Sequence, residues 1–335
     1  MKTLKDQIRD GEIGSLYLLF GEEWYLVQMN LQRLRRAVMA PEDEMMNLDE
    51  SADIHDPEGL SVSIDTFPFM AERRMVLLSE TGAFAPKKKE EEEEKDDRTT
   101  QELIRILSNI PETTTVVFAE KQVDKRSKLY KTLNSKGCAL EYKKMEQKDL
   151  LTWMRSLCKK LSMKMADREL AYLISLVGSD MARLESELQK LSAFAGERRE
   201  VTKAQIDALV TPSVEVKVFA MTDAISEGKR GKAYEVYKGL RQQGEAVQYI
   251  RYMINRHFRL MYRASLLEGA DVQTVMQELD LKNSYPASSY MRQAKRFGKE
   301  RLKAILLKLM QLDEDVKLSR MDEETAIELI LLSYI

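Results

Sequence analysis

A short apolar strand that runs directly into a helix is the feature that most constrains the fold of this chain. Leu16–Phe20 is a continuous apolar run, typical of a strand buried on both faces of a parallel sheet. Gly21 ends the run, and Trp24 begins a helical pattern of apolar residues. The sequence therefore predicts an α/β domain whose first turn lies where many α/β proteins hold a nucleotide phosphate.

This turn lacks the residues that bind a phosphate. A phosphate loop needs glycines that expose backbone N–H groups, and usually a Lys followed by Ser or Thr. Here a single glycine, Gly21, is followed by Glu22 and Glu23, whose carboxylates repel a phosphate. Residues 75–80 also lack the paired acidic side chains that would hold magnesium and orient a water molecule. We therefore expect no nucleotide cofactor and no ATPase activity in this chain.

The composition argues against several functional classes. A length of 335 residues predicts two or three domains. Lys and Arg total 53 against 55 for Asp and Glu, whereas an independent nucleic-acid binder normally has a basic excess. Any contact with DNA is therefore expected to be local or shared with partners. The charged first residues and the absence of a long apolar segment predict a cytoplasmic protein without a membrane span.

No catalytic or metal site is predicted. The chain has two cysteines and two histidines, without metal-ligand spacing. The G-x-S-x-G motif of a serine hydrolase is absent. His257 lies in a helical segment and is expected to be a packed or surface residue, and Cys138 beside Gly137 is expected to be a small buried residue.

Strands and helices alternate through residues 1–143. After the first strand, further strands are predicted at 75–79, 115–119 and 138–142, with a weaker one at 44–48. Helices are predicted at 56–65, 101–109 and 126–136, so the pattern indicates a mostly parallel sheet with helices on both faces. Residues 87–98 hold five basic and seven acidic residues and no apolar ones, so 86–99 is expected to be a disordered insertion.

The remaining chain has only helical periodicity. Pro212 marks a boundary, which predicts a small helical domain at 144–211 and a larger one at 212–335. Turns are expected near Gly228, Gly244, Gly269, Gly298 and residues 284–287. The predicted fold class is therefore α/β followed by all-α.

Two surface features are candidate binding sites. The first is an apolar turn with Phe67, Pro68, Phe69 and Met70 between charged residues. It either covers the edge of the core or forms a protruding wedge that docks into a partner. The second is a basic patch on residues 292–303, which is either a solvated face or a DNA contact; its cations are Arg292, Lys295, Arg296, Lys299 and Lys303. These five would share one side only if a single helix continued through Gly298.

In its motifs and their order, the chain resembles the delta subunits of bacterial DNA polymerase III, the clamp-loader components that open the sliding clamp. The resemblance extends over nearly the whole sequence and includes YLLFGEEWYLV at 17–27, FPFMAERRMVLL at 67–78, KQVDKRSKLYKTL at 121–133, GSDMARLESELQKLSAF at 178–194, GEAVQYIRYMINRHFRLM at 244–261 and LDEDVKLSRMDEETAIELILL at 312–332.

The resemblance implies three domains. Residues 1–143 would have the AAA+ (RecA-type) fold without a phosphate loop and without ATP binding or hydrolysis. Residues 144–211 would be a helical lid, and 212–335 a helical collar through which the subunits assemble. The clamp-binding wedge maps to Phe69 and Met70, supported by Phe67 and Pro68.

The resemblance also implies the partners. These are the sliding clamp (the beta subunit), the ATP-binding clamp-loader subunits, delta-prime and, through the complex, primed DNA. The chain would then take part in DNA replication as a component of a DNA-directed DNA polymerase holoenzyme, a nucleotidyltransferase. Two alternatives remain open at this stage, a degenerate AAA+ ATPase and a nucleic-acid-binding adaptor.

Overall fold

Two units make up the chain, Met1–Met145 and Glu146–Ile335. The structure, a computed structural model, describes residues 3–51, 53–85, 93–136, 139–196, 199–281 and 284–333. Cys138, expected to be a small buried residue, lies outside these ranges. In the part of the chain that the structure describes, no helix combines the length and the apolar character needed to cross a membrane.

Unit 1 alternates helices and strands. In chain order they are α1 (Leu4–Asp10), β1 (Leu16–Phe20), α2 (Trp24–Val38), α3 (Glu44–Asn47), β2 (Leu48–Asp49), α4 (Pro57–Asp65), β3 (Arg74–Ser79), α5 (Glu93–Ile106), β4 (Thr114–Glu120), α6 (Lys128–Ser135) and β5 (Ala139–Glu141). Within the described ranges, five strands pair in the order β2-β3-β4-β1-β5, and every pairing is parallel. The parallel sheet predicted for this half of the chain is confirmed.

The sheet is buried on both faces, which explains why its central strands are apolar throughout. Side chains of a strand alternate between the two faces. One face of the sheet packs on α4, α5 and α6 through a core that includes Leu18, Val76, Phe118, Leu60, Leu103 and Leu129. The other face packs on α1 and α2 through a second core that includes Leu19, Leu77, Val117, Leu4, Leu31 and Leu34.

The strand predicted at 44–48 is wrong over most of its length. Glu44–Asn47 forms the short helix α3, and the strand β2 contains only Leu48 and Asp49. Met45 and Met46 do not enter the sheet; their side chains are exposed. The adjacent apolar residues Met45 and Met46 therefore indicated a strand, whereas the chain forms a helical turn there, next to the edge strand β2.

The disordered insertion predicted at 86–99 is also partly wrong. The backbone of residues 93–99 forms the first turns of α5. Glu and Lys are good helix formers, and these turns extend a segment whose later residues Leu103 and Ile106 are buried. Residues 86–92 lie outside the described residues.

Unit 2 is helical in its described part, apart from an isolated bridge between Lys164 and Glu200. Its helices are α7 (Gln147–Lys160), α8 (Asp167–Val177), α9 (Met181–Phe194), α10 (Lys203–Leu209), α11 (Val214–Ser226), α12 (Arg230–Gln242), α13 (Val247–Leu266), α14 (Val272–Glu278), α15 (Ser284–Phe297), α16 (Lys299–Lys317) and α17 (Glu323–Ser333). The fold class, α/β followed by all-α, is confirmed.

Helices α7 to α10 pack on one another, and α8 also contacts α11. Helices α11 to α17 share one apolar core.

The turn predicted at 284–287 is wrong, because α15 begins at Ser284 and includes Pro286 in its first turn, where proline is tolerated. The division of this unit at residue 212 stays a prediction.

His257 is a buried core residue in unit 2. Its Nε2 atom lies 2.9 Å from Thr222 Oγ1 and 2.7 Å from Gln293 Oε1, and Gln293 Nε2 donates to Asp223 Oδ1 at 2.8 Å. These contacts join α11, α13 and α15 through polar side chains inside an apolar core. Burial lowers the pKa of His257 from 6.5 to about 3, so the ring is neutral in the folded chain at neutral pH.

A buried neutral histidine makes stability depend on pH. Its pKa is about 3 in the folded chain against 6.5 as the ordinary value, so the unfolded state binds more protons between these values. We expect the free energy of unfolding to fall below pH 6.5, with this residue contributing up to about 1.4 kcal/mol per pH unit. Urea unfolding across this range should show a shallower loss for His257→Gln. His55→Gln, which replaces an exposed histidine, is the control; an equal slope in wild type and His257→Gln would contradict the prediction.

Candidate functional site

Phe67, Pro68, Phe69 and Met70 form a loop between α4 and β3, here called the apolar loop. Phe67 is 82% exposed, Phe69 53% and Met70 89%, while Pro68 is partly buried. The side chains therefore do not cover the edge of the core, which was one of the two interpretations of this stretch. Large exposed apolar side chains that are adjacent on one loop are typical of binding surfaces.

Hydrogen bonds hold the centre of the apolar loop. Phe69 N–H donates to Asn47 Oδ1 at 2.6 Å, and Asn47 Nδ2 donates to the carbonyl oxygen of Phe69 at 2.9 Å. The same nitrogen donates to the carbonyl oxygen of Asp43 at 3.2 Å. Asn47 itself is 1% exposed, so one buried amide fixes both backbone polar groups of Phe69.

Both ends of the loop are also held. Thr66 donates to the carbonyl oxygen of Val62 with its backbone N–H at 3.0 Å and its hydroxyl at 2.6 Å, which ends α4. Arg73 donates to the carbonyl oxygen of Ile13 at 2.8 Å. Between these anchors Met70 has a φ of 51°, a left-handed conformation that costs a residue other than glycine about 1–2 kcal/mol. Hydrogen bonds thus restrain the loop at Thr66, Phe69 and Arg73.

Three further exposed apolar residues lie on the elements next to the apolar loop. Met45 and Met46 precede Asn47 on α3, and Val62 lies one turn before Thr66 on α4. The local sequence pattern assigned Met45 and Met46 to a strand and did not identify Asn47. The local pattern is misleading here, because the polar Asn47 is buried whereas the apolar Met45 and Met46 are exposed.

The strand-to-helix turn after β1 closes on the chain that follows β5. Gly21 has a φ of 135°, and a Cβ atom at this position would lie 2.3 Å from the carbonyl oxygen of Tyr142. The backbone N–H of Glu23 donates to that same oxygen at 3.0 Å. A phosphate loop needs free backbone N–H groups at this point, and here Glu23 uses its own for a bond within the chain.

Carboxylates surround this turn. Glu120, at the end of β4, accepts hydrogen bonds from the backbone N–H and hydroxyl of Thr81 at 3.0 and 2.5 Å, and burial raises the pKa of this carboxyl. Lys121 is paired with Glu80 at 2.6 Å and lies 5.2 Å from the centre of the Trp24 ring. The acidic groups and the paired lysine disfavour a bound phosphate at this edge of the sheet.

The apolar loop and this turn lie at opposite edges of the sheet. The loop precedes β3 and the turn follows β1, and the two strands run parallel within one sheet. The exposed apolar side chains are therefore remote from the edge where a nucleotide binds in related architectures.

The basic residues of α15 and α16 do not form one continuous face. Gly298, with a φ of 77°, separates the two helices. Arg292 and Arg296 lie 3.9 and 3.8 Å from carboxylate oxygens of Asp223. Three of the five predicted cations, Arg292, Lys295 and Lys299, line one groove with an apolar floor, here called the basic groove, which has a volume of about 540 Å³. Lys303 is exposed one turn further along α16 and is not among the residues that line the groove.

The described residues contain no group of three or more His, Cys, Asp or Glu side chains placed to hold a metal ion. Cys158 is buried in α7, and burial raises the pKa of its thiol to about 11. A thiol with such a pKa is protonated at neutral pH and is a poor nucleophile.

Comparisons with known proteins agree over both units. The family model described as "DNA polymerase III, delta subunit" matches residues 17–143, and "DNA polymerase III delta subunit, C-terminal domain" matches residues 215–334. The DNA polymerase III subunit delta of Bacillus subtilis is 28% identical over 329 residues, covering 97% of this chain and 94% of that protein. A probable DNA polymerase III subunit delta of Aquifex aeolicus is 23% identical over 310 residues, covering 90% of this chain and 86% of that protein.

A solved structure shows a similar fold. The Bacillus subtilis DNA clamp loader delta protein superposes with a TM-score of 0.66 and is 25% identical in sequence. The match covers 99% of this chain and 98% of that structure. The similarity therefore includes both the sheet-containing unit and the helical unit.

The close approach of Gly21 to Tyr142 gives a test of the turn geometry. We expect Gly21→Ala to destabilise the chain by about 2 kcal/mol or more, because it combines a strained φ with a clash against a backbone oxygen. Gly82→Ala is the matched control, since Gly82 also has a positive φ, of 75°, but no neighbouring atom within 4 Å of the point that an added methyl group would occupy. Thermal unfolding followed by circular dichroism would measure both. Equal shifts of the two midpoints would show that the contact with Tyr142 does not matter.

Proposed function

The chain belongs to the DNA polymerase III delta subunit family, and on that premise we propose that it binds a sliding clamp through the apolar loop and promotes opening of the clamp within a clamp loader. The observation that carries the proposal is a loop with three large exposed apolar side chains whose backbone is held by buried hydrogen bonds. Membership of the family supports the class of partner, and the exposed apolar side chains support the choice of surface.

Burial of the loop in a pocket of the clamp provides the binding energy. Transferring one Phe or Met side chain from water into an apolar pocket contributes about 1.5–3 kcal/mol. Because the loop backbone is already held by Asn47, Thr66 and Arg73, binding does not have to order it. A surface that is preorganised in this way loses less conformational entropy on association.

Clamp opening follows if the loop prefers one state of the clamp. A ligand shifts an equilibrium only when it binds one state more tightly than the other. We propose that the loop binds an open or strained clamp interface better than a closed one. The carboxylates around Gly21 disfavour ATP in this chain, so ATP-binding partner subunits would control when the loop is exposed.

The helical unit supplies the contacts for assembly in this proposal. Residues 144–211 act as a lid, and residues 212–335 act as a collar that assembles with the ATP-binding subunits and delta-prime. The packing of α7 to α10 on one another and the single core shared by α11 to α17 support this division.

The basic groove is a second candidate binding surface, for the phosphates of primed DNA held in the complex. Lys295 and Lys299 line this groove and are exposed. Arg292 lines it too, although it lies close to Asp223. The whole chain has a net charge of −2, so such a contact is local and depends on salt.

Removal of the apolar side chains tests the clamp-binding proposal. We expect Phe69→Ala combined with Met70→Ala to weaken binding to the sliding clamp about 100-fold or more, because two buried side chains are lost. Equilibrium binding of the full chain to the purified clamp measures this. The matched control is Phe194→Ala combined with Met310→Ala, which removes one exposed Phe and one exposed Met from unit 2.

The proposal predicts that the control binds the clamp as the wild type does and that both double variants keep the wild-type circular dichroism spectrum. Wild-type clamp affinity in the Phe69→Ala, Met70→Ala variant would overturn it. Tight ATP binding by the isolated chain would instead favour a degenerate ATPase.

Charge reversal tests the basic groove. We expect Lys295→Glu combined with Lys299→Glu to weaken binding to a primed DNA duplex at low salt and to reduce the salt slope by roughly 1–2, since two phosphate contacts are lost. Lys148→Glu combined with Lys159→Glu makes the same change in net charge on exposed lysines of α7 and is the control. Equal losses in both variants would mean that only net charge matters.

A further inference from the structure

We propose that Asn47 is the positioning residue of the apolar loop, in that its side-chain amide sets the backbone conformation in which Phe69 and Met70 meet the clamp. This inference rests on the proposed function and assigns a role to a residue outside the loop itself. Asn47 belongs to α3 and is separated from Phe69 by 22 positions in the sequence.

The contact uses every polar group of the Asn47 side chain. Its oxygen accepts from Phe69 N–H at 2.6 Å, and its nitrogen donates to the carbonyl oxygens of Phe69 at 2.9 Å and Asp43 at 3.2 Å. An amide nitrogen has two hydrogens, so both donors are used. The side chain therefore forms hydrogen bonds with the backbone N–H and carbonyl oxygen of Phe69, as a neighbouring strand would. Its bond to the carbonyl oxygen of Asp43 also links the loop to the turn before α3.

The loop needs such a restraint because its large apolar side chains supply little packing. Phe67, Phe69 and Met70 are each more than half exposed, so apolar packing contributes little to fixing the backbone between them. Thr66 and Arg73 hold only the two ends. Met70 adopts a left-handed conformation that an unrestrained loop would leave. Between these ends, Asn47 contacts the backbone of Phe69, the residue immediately before Met70.

Asparagine suits this position better than similar residues. Aspartate would keep the acceptor for Phe69 N–H but would place a carboxylate against the carbonyl oxygens of Phe69 and Asp43. Alanine would leave both polar groups of Phe69 without this partner. We therefore expect Asn47→Ala and Asn47→Asp each to weaken clamp binding about 10-fold or more, although neither removes an exposed apolar side chain.

A purely structural role for Asn47 would have different consequences. Asn30 provides the matched control: it is also a largely buried asparagine of unit 1, and its Nδ2 donates to the carbonyl oxygen of Leu26 at 2.8 Å within α2. Asn30→Ala is expected to lower the thermal midpoint without changing clamp affinity. Asn47→Ala should lower the affinity even when the two midpoints are similar.

Two readouts test positioning directly. First, amide hydrogen exchange of Phe69 in the full chain should be at least about 10-fold faster in Asn47→Ala than in wild type and unchanged in Asn30→Ala, because Asn47 Oδ1 accepts the hydrogen bond that protects that N–H. Second, Asn47→Ala added to Phe69→Ala and Met70→Ala should weaken clamp binding by less than about 2-fold, since the side chains that it positions are gone.

The outcomes separate this inference from the proposed function. Wild-type clamp affinity in the Phe69→Ala, Met70→Ala variant would overturn both. If that variant binds weakly but Asn47→Ala binds as wild type does, or leaves the exchange of Phe69 unchanged, the role of Asn47 is wrong and the apolar loop still stands. An equal fold loss from Asn47→Ala in the presence and absence of the loop side chains would also overturn it.

Discussion

Burial of the parallel sheet on both faces is the constraint on which unit 1 depends. Strands β1, β3 and β4 alternate their side chains between two apolar cores, one with α1 and α2 and the other with α4, α5 and α6. A sheet covered in this way leaves only its two edges and their loops free to vary. At the carboxyl edge the turn after β1 is closed by a backbone contact with Tyr142 and surrounded by carboxylates. At the amino edge, the chain before β3 presents its apolar side chains to solvent. The same scaffold thus disfavours a nucleotide at one edge and exposes an apolar loop at the other.

The apolar loop shows how an exposed apolar surface can have a defined conformation. In the core, side-chain packing fixes the backbone, as it does around Phe84 and Phe118, whose rings meet edge to face at 5.2 Å. Phe67 and Phe69 are more than half exposed, and hydrogen bonds to the backbone of Phe69 take the place of such packing. The left-handed backbone conformation of Met70 persists because hydrogen bonds hold the chain on either side of it.

In unit 2, polar side chains have a different role. Thr222, His257 and Gln293 are buried together and link three helices inside one core.

Much of the fold could be predicted from residue patterns. The apolar runs of β1, β3 and β4 and the helical periodicity of unit 2 were sufficient for the fold class. The errors have local causes. Met45 and Met46 have the composition of a strand but form a helical turn, whose last residue, Asn47, contacts Phe69. Residues 93–99 lack apolar side chains, yet they extend a helix whose later turns are buried. Pro286 indicated a turn, although the first turn of a helix accepts proline. The location of the candidate loop was predictable from composition, whereas its exposure was not, because a stretch of apolar residues can either cover a core or extend from it.

The sequence by itself determined the fold class, with a parallel sheet in unit 1 and helices in unit 2. It also determined the absence of phosphate-loop residues at Gly21, Glu22 and Glu23 and the position of the apolar loop along the chain. These properties depend on residues that are neighbours in the sequence. Only the tertiary structure decided that Asn47 pairs with Phe69 and that Tyr142 closes the turn at Gly21. It also decided that the helices on either side of Gly298 place three of the five basic residues along one groove. Each of these depends on which distant segments the sheet and the helical core bring together, and a hydrogen-bond partner 22 residues away has no signature in a local pattern of apolar and polar residues.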